Sequence, residues 1–184
     1  MTRFAEFGSP RQTAARGRDK IAAVLGTTQA LAMNTPVGTL VLEGNDDALT
    51  NVRLPGWEAP EPSSEPVPAA VAEAARQLDE YFQGRRRTFD VALAFGGTPF
   101  QRAVWTTLAE IPYGDTITYA ELAARIGRPR ACRAAGSANG ANPIPIILPC
   151  HRVVASGGGL GGYGGGLDMK RSLLALEGGG FGPA

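Results

Sequence analysis

Apolar and polar positions recur at two different periods along this chain, and the change of period falls at Gly96-Gly97. Before that point, residues 37–42 and 48–54 carry apolar and β-branched side chains on either side of the turn Glu43-Gly44-Asn45-Asp46-Asp47, which predicts a hairpin. Residues 55–68 contain five prolines and are expected to form a loop. Val71, Ala75, Leu78 and Phe82 then recur at helical spacing up to Gly84, and residues 89–93 alternate as a half-buried strand does. After Gly97 the helical period takes over. Thr98 as N-cap and Pro99 at the first helical position open a helix with Phe100, Val104, Leu108 and Ile111 on one face. Thr118 and Glu121 form a capping box for residues 119–126, which Gly127 ends. Pro129 then introduces a short helix over residues 130–139. Two short helices around a Gly-containing turn are the helix-turn-helix pattern. The last helix is expected over residues 167–176, with Glu177 in its final turn.

The pattern therefore predicts a mixed α/β (α+β) chain. A polar extension spans 1–32, a mixed α/β domain 33–96 and a mostly helical domain 97–184. Its 184 residues with 43% hydrophobic content suffice for a buried core. No apolar run reaches the ~18 residues of a membrane helix. Residues 16–32 loosely imitate a signal peptide, but Thr27, Thr28 and Gln29 leave its apolar part too short for export.

Charge adds an asymmetry that the net value of +1 hides. Residues 1–97 hold 10 Lys and Arg against 12 Asp and Glu, whereas residues 98–184 hold 8 against 5. Arg125, Arg128, Arg130 and Arg133 crowd nine residues of the second helix pair, as either a phosphate-facing patch or a solvated face.

Cysteine and histidine usage narrows the chemistry further. Only two cysteines, Cys132 and Cys150, and one histidine, His151, are present, too few for a structural zinc site. They are expected to be reduced thiols in a cytoplasmic protein. Any Cys-His chemistry runs through Pro149-Cys150-His151-Arg152-Val153. A thiol is nucleophilic as thiolate, and His151 and Arg152 are candidate helpers. Consecutive side chains of an extended segment point apart, so coupling needs a bridging water or a bend at the cysteine. Three prolines between Asn142 and Pro149 predict a stiff, extended, buried rail leading into it. From these residues alone, a buried structural cysteine remains the other reading. Residues 156–166 hold eight glycines in eleven positions, without the GxxxxGK[ST] of a phosphate-binding loop.

Taken together, the helix-turn-helix, Asn142-Pro143 leading into Pro-Cys-His-Arg-Val, Gly162-Tyr163-Gly164-Gly165 and a Leu-rich last helix ending in Glu177 resemble the O6-alkylguanine-DNA alkyltransferases. The resemblance is strong over 98–178 and looser over 34–95. It implies a ribonuclease-H-like first domain and a winged helix-turn-helix second domain. Cys150 would be the alkyl acceptor, His151 would take the thiol proton through a water, and Glu177 would orient that imidazole. Tyr119 would donate a proton to the departing guanine, and Asn142 would tie the helix-turn-helix to the rail. Arg133 would enter the base stack, with Gly136, Ser137, Ala138 and Asn139 along the minor groove. The Cys150 and Val153 carbonyls would read the guanine amino group, and Tyr163 and Gly164 would contact the base.

The implied partner is double-stranded DNA carrying O6-alkylguanine, or less readily O4-alkylthymine, with the damaged base swung out. A monomer that needs no cofactor, metal or membrane is implied, with cooperativity on DNA left open. Gly164 departs from the serine that the family often carries there. A non-reacting base sensor, a thiol hydrolase and a helix-turn-helix regulator are the alternative readings.

Overall fold

The computed structural model describes residues 3–4, 28–63 and 66–178. Among the described residues the first half is a five-stranded sheet with one helix. β2 (Gln29–Thr35), β3 (Gly38–Gly44) and β4 (Leu49–Arg53) form an antiparallel meander, β5 (Ala92–Leu93) lies parallel to β4, and β1 (Arg3–Phe4) lies parallel to β5 at the edge. Two elements correct the expected extension. β2 begins at Gln29 and pairs along its whole length with β3, and Arg3 and Phe4 join the sheet. The rest of that extension, residues 5–27, lies outside the described residues. The predicted hairpin forms between β3 and β4, where the Asn45 side chain accepts from the backbone N–H groups of Asp47 and Ala48 and closes the turn.

α1 (Ala69–Phe82) packs on this sheet, but its inward face is rotated from the expected one. Val71, Ala74, Gln77, Leu78 and Tyr81 are buried, while Ala75 and Phe82 sit at the margin. The displaced pattern has a physical reason: Gln77 satisfies its amide by bonding both backbone groups of Asp90, and Tyr81 satisfies its hydroxyl on Glu177.

The second half holds α2 (Pro99–Leu108), α3 (Tyr119–Arg125), α4 (Cys132–Gly140) and α5 (Leu167–Leu176). Both expected N-caps are present as full capping boxes, Thr98 with Gln101 and Thr118 with Glu121. α4 starts two residues later than expected, at Cys132, with no side-chain cap. β6 (Ile117–Thr118) and β7 (Val153–Val154) pair in parallel, so the start of α3 is joined directly to the end of the Cys150 turn.

One apolar cluster runs through both halves, from Leu40 and Leu78 to Leu122, Ile146 and Leu173. The halves are also stitched by polar bonds: the Val52 N–H donates to the Pro143 carbonyl at 2.9 Å, and Trp57 Nε1 donates to the Gly164 carbonyl at 3.0 Å. No helix among the described residues is long and apolar enough to cross a membrane.

Because Thr118 both caps α3 and ends β6, Thr118→Ala should destabilise the protein by about 1 kcal/mol, read as a lower urea midpoint with an unchanged denaturant slope.

Candidate active site at the Cys150 turn

The approach to the cysteine is buried, as expected, but it is not extended. Ile146 adopts φ +74°, a left-handed conformation unusual for a β-branched residue, and the chain turns so that the Leu148 N–H reaches the Ile144 carbonyl at 2.9 Å. Asn142 fixes this turn from inside. Its Nδ2 donates to the Leu148 carbonyl at 2.7 Å and its Oδ1 accepts from the Ile144 N–H at 3.0 Å. Strain at Ile146 is held by that buried clamp and by packing, since Ile144, Ile146 and Leu148 are fully buried.

Cys150, His151 and Arg152 form one turn of 3-10 helix rather than a strand. About three residues per turn point consecutive side chains in different directions. Cys150 faces a pocket, and His151 and Arg152 face Glu177. His151 Nε2 lies 2.8 Å from Glu177 Oε1, and Arg152 grips the same carboxylate with Nε at 2.8 Å and Nη2 at 3.0 Å. The Tyr81 hydroxyl donates to Oε1 at 2.7 Å, and the Gly114 N–H donates to Oε2 at 3.3 Å. Arg152 also donates to the Ile111 carbonyl at 2.6 Å. Burial alone would raise the Glu177 carboxyl, but its bonds to His151 and Arg152 outweigh that and hold it well below the usual carboxylate range. It is therefore a carboxylate, able only to accept. The shared proton sits on His151 Nε2, which leaves Nδ1 with its lone pair. Among the described residues no protein group reaches Nδ1, although it is buried.

Burial holds the imidazole below its ordinary titration range, with Glu177 opposing that shift. His151 is thus a neutral base at neutral pH. Burial also pushes the Cys150 thiol up, to about 11, against the opposing hydrogen bond from Asn142 and the charge of Lys170. The resting thiol is protonated and needs a base. Lys170, fully buried, donates to the carbonyls of Val153 at 2.6 Å, Leu160 and Gly162, and burial depresses it to about 8. It ties the glycine-rich loop to the cysteine turn.

The pocket offers about 160 Å³, far above the ~10–15 Å³ that a single water requires. Its walls bring together Cys150, Asn142, Tyr119, Gly136, Asn139, Tyr163 and Gly164 with Leu54 and Trp57 of the first half. The Tyr119 ring lies between α4 and the loop, and its hydroxyl bonds the Gly162 carbonyl at 3.3 Å. Gly161 is obligatory beneath it, because a Cβ there would stand 2.7 Å from that ring. Tyr163 turns its hydroxyl inward, without a partner among the described residues.

Several sequence-derived assignments shift. On α4, Arg133, Ala134, Ser137 and Gly140 face outward, and Gly136 is partly covered. Ala138 and Asn139, expected along an exposed DNA-facing surface, are buried instead, because helical spacing turns them toward the core. The Ala138 carbonyl accepts from Trp105 Nε1 at 2.7 Å, and Asn139 Nδ2 donates to the Cys150 carbonyl at 3.3 Å. The Val153 side chain is buried and does not wall the pocket, and its carbonyl already serves Lys170. Sequence reasoning missed Tyr81, Lys170 and Trp57, whose partners lie far along the chain with no local signal. Arg152 was singled out as a helper of the thiol, but its guanidinium is spent on Glu177.

Comparisons with known proteins meet this geometry. Residues 30–95 match the family model described as 6-O-methylguanine DNA methyltransferase, ribonuclease-like domain, and residues 99–179 match the one described as 6-O-methylguanine DNA methyltransferase, DNA binding domain. The methylated-DNA–protein-cysteine methyltransferase of Mycolicibacterium paratuberculosis is 50% identical over 147 residues, covering 79% of this chain and 89% of its own. That of Methanosarcina barkeri is 49% identical over 148 residues, covering 79% and 94%. Among solved structures, Mycobacterium tuberculosis OGT in complex with DNA superposes with a TM-score of 0.74 at 47% identity, over 83% of this chain and 94% of that one. With matched models over both halves and near-half identity across most of the chain, the protein belongs to the 6-O-methylguanine DNA methyltransferase family.

Proposed function

We propose that this protein repairs O6-alkylguanine in double-stranded DNA, and less readily O4-alkylthymine, by moving the alkyl group irreversibly to Cys150. One observation carries the reading: the turn that sets Cys150 in the wall of a base-sized pocket also locks His151 to Glu177 through Nε2, leaving Nδ1 buried and free to accept. The family membership of both halves supports it.

The sequence of events follows from the groups present. Lesion-bearing DNA lies with its minor groove on the outward face of α4, where Ser137, Gly140 and Ala134 are small enough for close approach and Arg133 enters the stack as the damaged nucleotide leaves it. The extruded base enters the pocket beside Cys150, which Tyr119, Asn139, Tyr163 and Gly164 line. Asn139 holds the Cys150 carbonyl, and that carbonyl and the loop backbone meet the polar edge of the base. Through one water, the Cys150 proton passes to His151 Nδ1 while Glu177 and Arg152 balance the charge of the imidazolium. The thiolate attacks the alkyl carbon. The C–S bond forms as the bond from carbon to guanine O6 breaks. The Tyr119 hydroxyl gives its proton to the leaving guanine and is replenished from the imidazolium through solvent. The product thioether is a far poorer leaving group than guanine, so each molecule reacts once, as a monomer and in a reducing, cytoplasmic setting.

Incubation with a duplex containing O6-methylguanine should add one methyl group to the intact mass of the protein, mapped to Cys150, and nothing on a second exposure. Cys150→Ser should bind the duplex and gain no mass. A methylated Cys150→Ser protein, or repeated turnover, would refute the transfer.

The pH dependence follows from the same pair. His151 is lowered, so its basic form is present above its ordinary value of 6.5 and the transfer rate should stay level through neutral pH, falling only on the acid side of that value. In His151→Ala the acid fall should vanish, and the much slower rate should instead climb with pH toward the thiol value of about 11. Single-turnover rates across pH would decide it, and an unchanged profile in the variant would remove His151 from the proton path.

A further inference from the structure

One wall of the pocket comes from outside the helical half. The chain leaves β4 at Leu54, bends through Gly56 at φ +81°, and brings the Trp57 indole across to the glycine-rich loop. The ring is held by a single side-chain hydrogen bond, from Nε1 to the Gly164 carbonyl at 3.0 Å, and remains partly exposed. It lies so close to Gly164 that a Cβ at that position would stand 2.5 Å from the ring edge at Cζ2. Gly164 and Trp57 are therefore one unit. The space that a serine would take at position 164 is filled by an aromatic ring contributed from 107 residues away.

The chemistry of the site gives this unit a role. The polar edge of an extruded base is met by carbonyls, N–H groups and the Tyr119 hydroxyl, but an alkyl group has no polar atoms and must stand against apolar wall near the Cys150 sulfur. The apolar side chains lining the pocket are Leu54, Trp57 and Pro145, besides the rings of Tyr119 and Tyr163. Leu54 and Pro145 are buried in the fold and have nowhere to go. Trp57 sits on a bend, is partly exposed and gives up one hydrogen bond on leaving. We propose that Trp57 is a specificity-determining residue. Its indole closes the alkyl end of the pocket, admits a methyl group without moving, and must swing off Gly164 before a bulky group such as benzyl reaches Cys150. Glycine at 164 is the counterpart that lets the ring close.

The proposal rests on the alkyl-transfer reading, and its test separates the two. Single-turnover rates are measured by intact mass on one duplex sequence carrying O6-methylguanine or O6-benzylguanine, so that contributions common to both substrates cancel in the benzyl-to-methyl ratio. That ratio should rise about tenfold or more in Trp57→Ala, the lower end of what packing against one methylene discriminates, and Trp57→Phe should restore much of the wild-type preference. Gly164→Ser should impair transfer beside Trp57, and the Trp57→Ala/Gly164→Ser double variant should recover it. A ratio unchanged in Trp57→Ala, or a Gly164→Ser defect that persists without the indole, would overturn the proposal while leaving methyl transfer by the wild type intact. Absence of any adduct on the wild type would overturn the transfer reading and this inference with it.

Discussion

A single buried carboxylate organises this molecule. Glu177, at the end of α5, receives hydrogen bonds from His151 and Arg152 of the cysteine turn, from Tyr81 of the first half and from the Gly114 backbone before β6. Three segments far apart in sequence thus meet on the two oxygens that the end of α5 supplies. Removing one member of such a buried charge network strands the others, at a cost of about 3–5 kcal/mol, so the geometry is enforced by the penalty for leaving it. The same bonds decide the chemistry. Because Glu177 is already neutralised by Arg152, His151 does not need to be positive, and because Nε2 is committed to the carboxylate, the lone pair of Nδ1 is the one left for a proton.

Around that point the fold solves a placement problem. The β6–β7 pair fastens the start of α3 to the end of the Cys150 turn, and Asn139 and Asn142 fasten α4 and the rail to the same turn. The surface offered by the helix-turn-helix and the sulfur atom are therefore parts of one rigid unit, positioned without a flexible linker between them. Lys170 does the equivalent for the glycine-rich loop, drawing the carbonyls of Val153, Leu160 and Gly162 to one ammonium group. Preorganisation of this kind suits a protein that reacts once and gains nothing from rapid release.

Local rules made part of this legible beforehand. Thr98 as N-cap and the Thr118–Glu121 capping box are local to single helical turns, and both form where the residues stand, with Gln101 completing a second box at Thr98. The turn around Asn45 closed through that side chain's own contacts. Cys150 and His151 were conspicuous through scarcity, and the resemblance of their neighbours to a known motif gave Glu177 and Tyr119 places beside them. What failed was whatever depends on distant partners. The prolines of the rail argued for an extended segment, yet tertiary clamping by Asn142 forces Ile146 to a positive φ. Residues 29–32 fall in the expected polar extension because nothing in them names β3 as their partner. The inward facing of Ala138 and Asn139 was not legible, because small and polar residues on a short helix do not reveal which side meets the core. Trp57 lies in a proline-rich loop, and its destination at Gly164 is invisible without the fold.

The chemistry of the site turns on the protonation of one ring. His151 is the sole histidine of the chain, so nitrogen magnetic resonance on the protein labelled with 15N-histidine gives one unambiguous pair of signals. At neutral pH the expected signals are those of a neutral imidazole with its proton on Nε2 and an unprotonated Nδ1. A proton on Nδ1, whether as the other tautomer or as imidazolium, would leave the Cys150 thiol without its base and contradict the mechanism.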